Sequence, residues 1–544
     1  VPPCVLFEDA HLLVINKPAG VNTHSPSPYA GEGIYDWLRN REPRWASLAI
    51  IHRLDKQTSG VLAFALSPEA NRSLTAQFSN RQARKTYLLL TDRPDVRIPE
   101  RCRSAVEKAG DRFISKPWRE GNELAETEFE EVRAEEVSRF LGKDFAMPAG
   151  TRLVQARPLT GRTHQIRLHA AQCGFPALGD GLYGGAAAER LWLHASELTL
   201  AHPVSGAPLT FTADWPGDPP VVGLRKQLIE PEETTAFRVA HGEADGLPGI
   251  HADKLGDFLL VETENDLDRE QRERVEALAG RWACRGVYHK RLIRDTRGKG
   301  AEASPRHISG AEAPDRFVVR ENGLAFELSF KEGYSVGLFL DQRDNRRRLL
   351  TGHIGKDIHT SWANAVGARA GSFEVLNVFA YTCGFSVAAA KAGARATSLD
   401  LSKKYLEWGR RNFDLNGIPA APHDFIYGDA FDWMKRLCKK QRQFDCVILD
   451  PPTFSKSREH GVFRAERDYG RLIASALPIL RPDGILLAST NAAGWAAEDF
   501  LTMLKSSVSG AGREIRKLRY YPQPPDFPVS RRDPAYLKTA WLQM

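Results

Sequence analysis

The sequence predicts two unlike folds in one chain: an α+β domain around a largely antiparallel sheet up to about residue 220, and a doubly wound, parallel α/β domain from about residue 330 onward. Three observations carry the prediction. Short β-like runs with few long helices between them fill the first part. Buried strands alternate with amphipathic helices in the last part. Between them, Asp214-Trp-Pro-Gly-Asp-Pro-Pro220 can continue neither a helix nor a strand, so it marks a joint.

In chain order, the first part offers strands at Leu12 to Ile15, Gly60 to Leu66, Thr86 to Leu90 and Arg152 to Ala156. A softer joint, Arg294 to Pro314, is rich in Gly, Ser, Ala and charge and reads as a loop. Beyond it come a strand at Phe373 to Val378, a helix at Phe385 to Ala392, a strand at Ala396 to Leu399, a helix at Lys403 to Asn416 and a strand at Phe444 to Leu449. That βαβα alternation is the texture of a parallel sheet covered on both faces. No internal repeat or low-complexity tract interrupts it.

The length of 544 residues leaves room for three or four domains at roughly 150 residues each. A hydrophobic fraction of 42% with 26% charged residues excludes disordered and fibrous classes. No apolar run reaches the roughly 18 residues of a membrane span, and the first residues carry Glu8 and Asp9 instead of a basic and then apolar leader, so we expect a cytosolic protein. Lys and Arg number 75 against 68 acids, a mild excess of +7 that favours a polyanionic partner. Seven scattered cysteines (Cys4, Cys102, Cys173, Cys284, Cys383, Cys438, Cys446) form no Cys-x-x-Cys pair, so reduced thiols are expected, with neither a disulfide framework nor a metal site.

The first chemical constellation is His52-Arg-Leu-Asp-Lys-Gln-Thr-Ser-Gly60, which presents a carboxylate, Asp55, in a polar loop just before an apolar strand. Further on, Leu159-Thr-Gly-Arg-Thr-His-Gln-Ile-Arg-Leu-His169 gathers two arginines and two histidines around a glycine, with Arg84-Lys-Thr-Tyr87 between the two segments. Together with Leu13-Val-Ile-Asn-Lys-Pro-Ala-Gly20, and in this order, these motifs resemble the RluA-type RNA pseudouridine synthases over roughly residues 5 to 213. The resemblance implies isomerisation of uridine by breaking and remaking the bond to the ribose, without cofactor or metal. It implies Asp55 as the carboxylate acting on the sugar, Tyr87 at the uracil, where it could relay a proton, and Arg167 as the partner that keeps Asp55 ionised. Arg53 and Arg162 would touch the RNA, Arg53 by filling the space of a flipped nucleotide. An S4-type RNA-binding module, common in relatives, finds no room before Val5, so RNA selection is expected elsewhere in the chain.

The second constellation lies at the predicted strand ends of the α/β part, where such sheets bind ligands. Asn377-Val-Phe-Ala-Tyr-Thr-Cys-Gly-Phe-Ser386 follows the first strand as a turn with a single glycine, and Cys383 stands where a glycine is usual. Asp400 ends the second strand roughly 20 residues on, where an acid can accept from ribose hydroxyls. Asp429 follows the third strand. After the fourth comes Asp450-Pro-Pro, a backbone rigid at the mouth of the site. With Gly337-Leu-Phe-Leu-Asp-Gln-Arg-Asp-Asn-Arg346, these motifs resemble a class I S-adenosylmethionine-dependent methyltransferase of the RlmI/RlmK type, whose members modify large-subunit ribosomal RNA. Phe237 to Gly249 and Gly256 to Phe258 resemble the small α+β domain that precedes the catalytic domain in those enzymes, which divides the chain at about residues 220 and 330 into three domains.

By that resemblance Asn377, Phe379, Tyr381 and Gly384 hold the amino-acid part of S-adenosylmethionine, Asp400 its ribose and Asp429 its adenine edge. Asp450, Pro451 and Pro452 face the base to be methylated, and Arg343 helps close the pocket. Methylation at C5 of a cytosine needs a cysteine thiolate to attack the ring. The stretch where cytosine-methylating relatives carry it, Ile485 to Gly494, has none and offers Asn491 instead, a polar grip on a purine or an exocyclic amine. Guanine nitrogen, ring nitrogen 7 on the RlmK side, is therefore the expected acceptor, with cytosine C5 the alternative.

Three basic stretches, Lys290 to Lys299, Arg343 to Arg348 and Arg516 to Tyr521, are expected to include cations that track phosphates, and Tyr520 or Tyr521 could stack on a base. The whole then reads as a bifunctional RNA-modifying enzyme. A rival reading makes one half an RNA-docking module only, against which stand the intact Asp55, Tyr87, Asp400 and Asp450. Methylation of a protein or small molecule is a third possibility.

Overall fold

The computed structural model describes residues 1–31, 33–110, 112–142, 145–292, 304–333, 335–360, 373–457 and 461–544. Residues 294–303 of the softer joint and most of the first basic stretch, residues 293–299, lie outside the described residues. The chain forms two compact units. One comprises Val1–His24, Glu32–Tyr35 and Ser47–Glu230, the other Ser25–Gly31, Asp36–Ala46 and Pro231–Met544.

The first unit is built on one sheet of strands β1 (Val5–Glu8), β2 (Leu12–Lys17), β3 (Ala49–Ile50), β4 (Ser59–Ala65), β5 (Arg84–Thr91), β6 (Arg101–Ala109), β7 (Arg112–Lys116), β8 (Leu124–Glu131), β9 (Arg152–Pro158), β10 (Leu193–Ala201) and β11 (Pro208–Thr212). They run in the order β1-β2-β4-β10-β5-β9-β8-β6-β7, with β3 beside β4 and β11 beside β10. Of these pairings only β4 with β10 is parallel. The antiparallel character read from the sequence is thus observed, and the four predicted strands are β2, β4, β5 and β9.

Strand β4 is buried along its whole length. Val61, Ala63 and Ala65 pack with Ala70 and Leu74 of the helix Pro68–Ser79. Ser67 caps that helix by accepting from the Ala70 N–H at 3.1 Å. Gly60 lets β10 come close: its φ is +117°, and a Cβ there would stand 2.2 Å from the carbonyl oxygen of Ala195. The loop that carries Asp55 therefore feeds into a fully buried strand of the sheet.

The second unit opens with the strands β12 (Ala236–His241), β13 (His251–Leu255), β14 (Phe258–Thr263), β15 (Gly286–Arg291) and β16 (Arg306–Gly310), a five-stranded sheet in sequence order. The helix Arg269–Arg281, with a complete capping box at Asp268 and Gln271, makes the parallel crossover from β14 to β15. Two hairpins follow, β17 (Phe317–Glu321) with β18 (Leu324–Leu328) and β19 (His353–Gly355) with β20 (Ile358–His359).

The doubly wound sheet comprises β21 (Glu374–Val378), β22 (Arg395–Asp400), β23 (Asp424–Tyr427), β24 (Phe444–Leu449), β27 (Leu480–Thr490), β28 (Lys517–Tyr521) and β29 (Lys538–Gln543); β25 (Phe454–Ser457) and β26 (Gly461–Arg464) form a separate hairpin. Its order is β23-β22-β21-β24-β27-β29-β28. The first five strands are mutually parallel, and β29 runs antiparallel between β27 and β28. The direction of winding switches at β21, which lies between β22 and β24. The helix Lys403–Leu415 buries Leu406, Trp408, Gly409, Asn412 and Phe413, the spacing of one helical face.

Candidate active sites

In the first unit, the loop of residues 51–58 is stapled from beneath by the first sequence motif. Lys17, wholly buried, donates to the carbonyls of Pro18 (2.9 Å), Val21 (2.8 Å) and Lys56 (3.2 Å). Burial draws its pKa down to about 7, against the attraction of the Asp55 charge. Thr23 donates to the Leu54 carbonyl at 2.9 Å and accepts from its N–H at 3.1 Å, and the Gly20 N–H donates to Lys56 O at 2.8 Å. These bonds leave Asp55 presented at the surface of the sheet, its side chain 26% exposed.

Arg167 faces it from the helix Gln165–Gln172. Its Nε and one terminal nitrogen donate bidentately to Asp180 at 2.7 and 2.8 Å, and the other terminal nitrogen reaches Asp55 Oδ2 at 3.4 Å. Burial opposes the Arg167 charge, but the hydrogen bond and charge of Asp180, with Asp55, outweigh it and raise its pKa. Tyr87, on β5, is buried, and burial together with the Asp55 charge pushes its phenol well above the usual range. It is a neutral ring at neutral pH. The structure therefore brings Asp55, Tyr87 and Arg167 together as the sequence suggested.

Two further residues belong here. His164 holds a left-handed backbone, φ 55° and ψ 18°, at the start of the Arg167 helix. Its Nε2 lies 3.8 Å from Asp55 Oδ2, while its Nδ1 is hydrogen-bonded to the Tyr183 hydroxyl at 2.8 Å. Tyr183 in turn accepts from the Phe113 N–H at 3.3 Å and lies under the Arg167 guanidinium. His164 was visible in the sequence as part of the arginine-rich motif, but only the backbone turn aims it at Asp55. Arg53 is exposed beside the loop, whereas Arg162 is paired with Glu123 at 2.7 Å.

In the second unit, a cavity of about 370 Å³ opens at the carboxyl ends of the parallel strands. Phe379 and Tyr381 enter it from β21, Asp400, Leu401 and Ser402 from β22, Asp450, Pro451 and Pro452 from β24, and Asn491 from beyond β27. The turn after β21 does with large residues what glycines usually do: Phe379, Tyr381 and Cys383 all have positive φ, 63°, 50° and 64°. Asp400 helps hold that strained turn, accepting from the N–H of Tyr381 and of Ser402 at 2.8 Å each. Burial raises its pKa, and those backbone bonds oppose the rise. Gly409 gives Cys383 its space, since a Cβ there would meet the thiol sulfur at 2.3 Å.

Asp450 accepts from Gln342 Nε2 at 3.2 Å, and the same amide group donates to Ser489 at 2.8 Å. Burial, then the charge of Asp341, push Asp450 up to about 7. Asp341, Gln342, Phe339 and Tyr405 complete much of the lining. Asp341 and Gln342 stood in the sequence motif without a role, because nothing local said that their turn folds across to β24.

Other expected site residues are not among those that line this cavity. Asn377 is buried and donates to Ser386 at 2.9 Å, inside the sheet-to-helix packing. Gly384 begins the helix Gly384–Lys391, and Asp429 caps the helix Ala430–Lys439 by accepting from Phe431 and Asp432. Arg343 requires correction. It is 3% exposed and bound bidentately to Asp526 at 2.8 and 2.5 Å, so it braces the interior and is unavailable to RNA.

The same correction reaches its basic stretch. Arg346 is bound bidentately to Glu321 at 2.6 and 2.7 Å, and Arg348 lies 3.7 Å over the Tyr521 ring. Tyr521 is itself buried, donating to the Ile354 carbonyl at 2.5 Å, and Tyr520 packs edge-on to Tyr29 at 5.2 Å. In the last stretch Arg516 pairs with Asp483 and Arg519 with Asp357. Arg343 and Arg346 were consumed by folding because a buried guanidinium must find a carboxylate, whereas Arg516 stays exposed in a surface pair.

The strand order, with one antiparallel strand inserted beside the last, and acids at successive strand ends define a class I methyltransferase fold with a cavity suited to a cationic nucleoside. Residues 238–542 match the family described as S-adenosylmethionine-dependent methyltransferase, and the chain belongs to that family. Residues 11–172 match the family described as RNA pseudouridylate synthase. The chain is thus an enzyme with a pseudouridine synthase domain followed by an S-adenosylmethionine-dependent methyltransferase domain.

Among its relatives, a Deinococcus radiodurans ribosomal RNA large subunit methyltransferase is 34% identical over 57% of this chain and 73% of its own length. The ribosomal RNA large subunit methyltransferase I of Pseudoalteromonas atlantica is 32% identical over 58% of this chain and 76% of its own. A solved methyltransferase complexed with SAH is 31% identical over 57% of this chain and 76% of that one, with a TM-score of 0.49.

The cavity fits S-adenosylmethionine chemically: the acids Asp341, Asp400 and Asp450 suit a cation and its ribose hydroxyls, and Phe339, Tyr381 and Tyr405 offer ring faces. Among the described residues no helix is long and apolar enough to cross a membrane.

Proposed function

We propose that the protein is a bifunctional, cytosolic RNA-modifying enzyme, isomerising uridine to pseudouridine at Asp55 and methylating a guanine nitrogen at Asp450, both in large-subunit ribosomal RNA. One observation carries it: each unit holds its own complete set of reactive groups. Asp55 stands beside Arg167, His164 and Tyr87, and Asp450 stands with Asp400 in a cavity at the strand ends. A unit retained only for docking would have no need of either arrangement.

In the first site Asp55 acts on the ribose, Tyr87 lies against the uracil, Arg167 positions the carboxylate, and Arg53 supports the flipped-out nucleotide. In the second, the turn from Asn377 to Gly384 lies toward the amino-acid part of the cofactor, Asp400 toward its ribose and Asp429 toward its adenine. S-adenosylmethionine supplies an electrophilic methyl group on a positively charged sulfur. Pro451 and Pro452 fix the Asp450 backbone, and Asn491, whose Oδ1 accepts from Thr453 at 2.7 Å, presents an oriented amide to the base.

The guanine reading, ring nitrogen 7 on the RlmK side, is favoured over cytosine C5 by the thiols. Cys383 is wholly buried, its pKa pushed up to about 12 by burial, and Cys446 is buried within β24. No cysteine is among the residues lining the cavity. A ring nitrogen already carries the lone pair it needs, so positioning suffices. The test assays the full chain on unmodified large-subunit ribosomal RNA for both products. Asp55→Ala should abolish pseudouridine and spare methylation, and Asp450→Ala should do the reverse. A product of 5-methylcytosine would overturn the acceptor, and an unaffected reaction would overturn the corresponding assignment.

A further inference from the structure

Asp341 and Asp450 line one cavity from different elements, the turn Leu340–Gln342 and the end of β24. Asp341 accepts from the Tyr536 hydroxyl at 3.1 Å, Asp450 from Gln342 at 3.2 Å. The arginines nearest in charge are already taken: Arg346 by Glu321, and Arg238 by Asp253 at 2.6 and 3.1 Å. Among the described residues neither Asp341 nor Asp450 has a salt bridge. Tyr469 spends its hydroxyl on the carbonyls of Leu449 and Ser489, at 2.8 and 2.9 Å. The His241 ring lies stacked on Tyr536, and Asp400 adds a third acid to the lining. Two carboxylates enclosed together without a cation cannot both ionise cheaply.

We propose that Asp341 and Asp450 form a proton-sharing carboxylate pair whose proton is expelled when the positively charged cofactor enters, so that the site gains its full negative charge only when loaded. The inference rests on the reading of this cavity as the S-adenosylmethionine site. Its geometry is two acids from two elements, each held by neutral donors: Asp341 by Tyr536, Asp450 by Gln342 and Ser489. Burial and the Asp341 charge agree with it, since together they bring Asp450 up to about 7. With a sulfonium in the cavity the pair would give up its proton to solvent, and both carboxylates would then face the base in their charged form. Asp341 is in this scheme a positioning residue that acts through Asp450.

Titration calorimetry of the full chain with S-adenosylmethionine, in buffers of different ionisation enthalpy, counts the protons released. About half a proton per cofactor is expected at pH 7, more at pH 6 and almost none at pH 8.5. S-adenosylhomocysteine has the same amino-acid group without the sulfonium charge and should release distinctly less. Asp341→Asn should still bind the cofactor but release distinctly less at pH 7, because burial still raises Asp450 but the neighbouring charge no longer adds to it.

Binding without buffer dependence at pH 6 and 7 would overturn the pair alone. Equal release from Asp341→Asn would assign the proton elsewhere, to Asp400 first, and overturn it too. Failure of either nucleoside to bind would overturn the reading of the cavity as well. The wild-type pH series and the comparison of the two nucleosides decide the matter even if the variant does not fold.

Discussion

The two sites of this enzyme treat a reactive carboxylate in opposite ways. Asp55 stands on a loop braced by Lys17 and Thr23, with a resident cation, Arg167, 3.4 Å away. Asp450 stands in a cavity beside another acid, its nearest donors the neutral Gln342 and Ser489 groups. The first site carries its counter-charge in the protein. The second leaves the counter-charge to a ligand. Whether a site is electrostatically complete before its ligand arrives separates the two chemistries.

The largest expected break in that contrast comes from Arg167→Met. Removing the resident cation should lower pseudouridine formation by about 10²- to 10³-fold, as loss of a preorganised charged donor does, while methyl transfer on the same RNA is unchanged. It also strips Asp180, 2% exposed, of its partner, so the first unit should lose about 3–5 kcal/mol of stability, read as a lower denaturant midpoint. Equal activity would place Arg167 in a structural role only.

Next, Gly60→Ala should destabilise the first unit by about 1–3 kcal/mol through its left-handed backbone and the Ala195 carbonyl, lowering its thermal midpoint. An unchanged midpoint would mean that β4 and β10 can separate freely.

Asp450→Asn sharpens the other side. A carboxyl raised from 3.8 to about 7 in the folded state binds its proton more tightly there than when unfolded. Its contribution to stability is therefore full below about pH 4 and is lost as pH rises through 7. The variant should abolish methyl transfer yet melt higher than the wild type at pH 8, with the gap closing toward pH 4. A gap independent of pH would show that Asp450 titrates normally.

The smallest effect is expected from Arg53→Ala. An exposed cation that contacts RNA should weaken substrate binding several-fold and flatten its salt dependence, leaving methyl transfer unchanged. No change in the salt dependence of pseudouridine formation would remove Arg53 from the RNA path.

Much of this was legible in the chain. The strand after Asp55, the strand carrying Tyr87 and the alternation around Asp400 and Asp450 are periodic, local signals, and motif order tied them to their chemistry. The basic stretches were misleading for a reason that is also physical: charge in a sequence does not say whether a side chain will find its partner inside. Arg343 and Arg346 meet Asp526 and Glu321, residues 183 and 25 positions away. His164 and Asp341 were overlooked in the opposite sense. Each lies within a recognised motif, but a left-handed turn aims the one at Asp55, and the path of a short turn lays the other beside Asp450.

The sequence by itself determined that two enzyme folds share this chain, because that property rests on periodicity and on motifs of neighbouring residues. The tertiary structure alone decided which charges are free and which are spent. Ion pairing and desolvation depend on residues brought together from distant parts of the chain, and Asp450 has its counter-charge missing for the same reason that Arg343 has one.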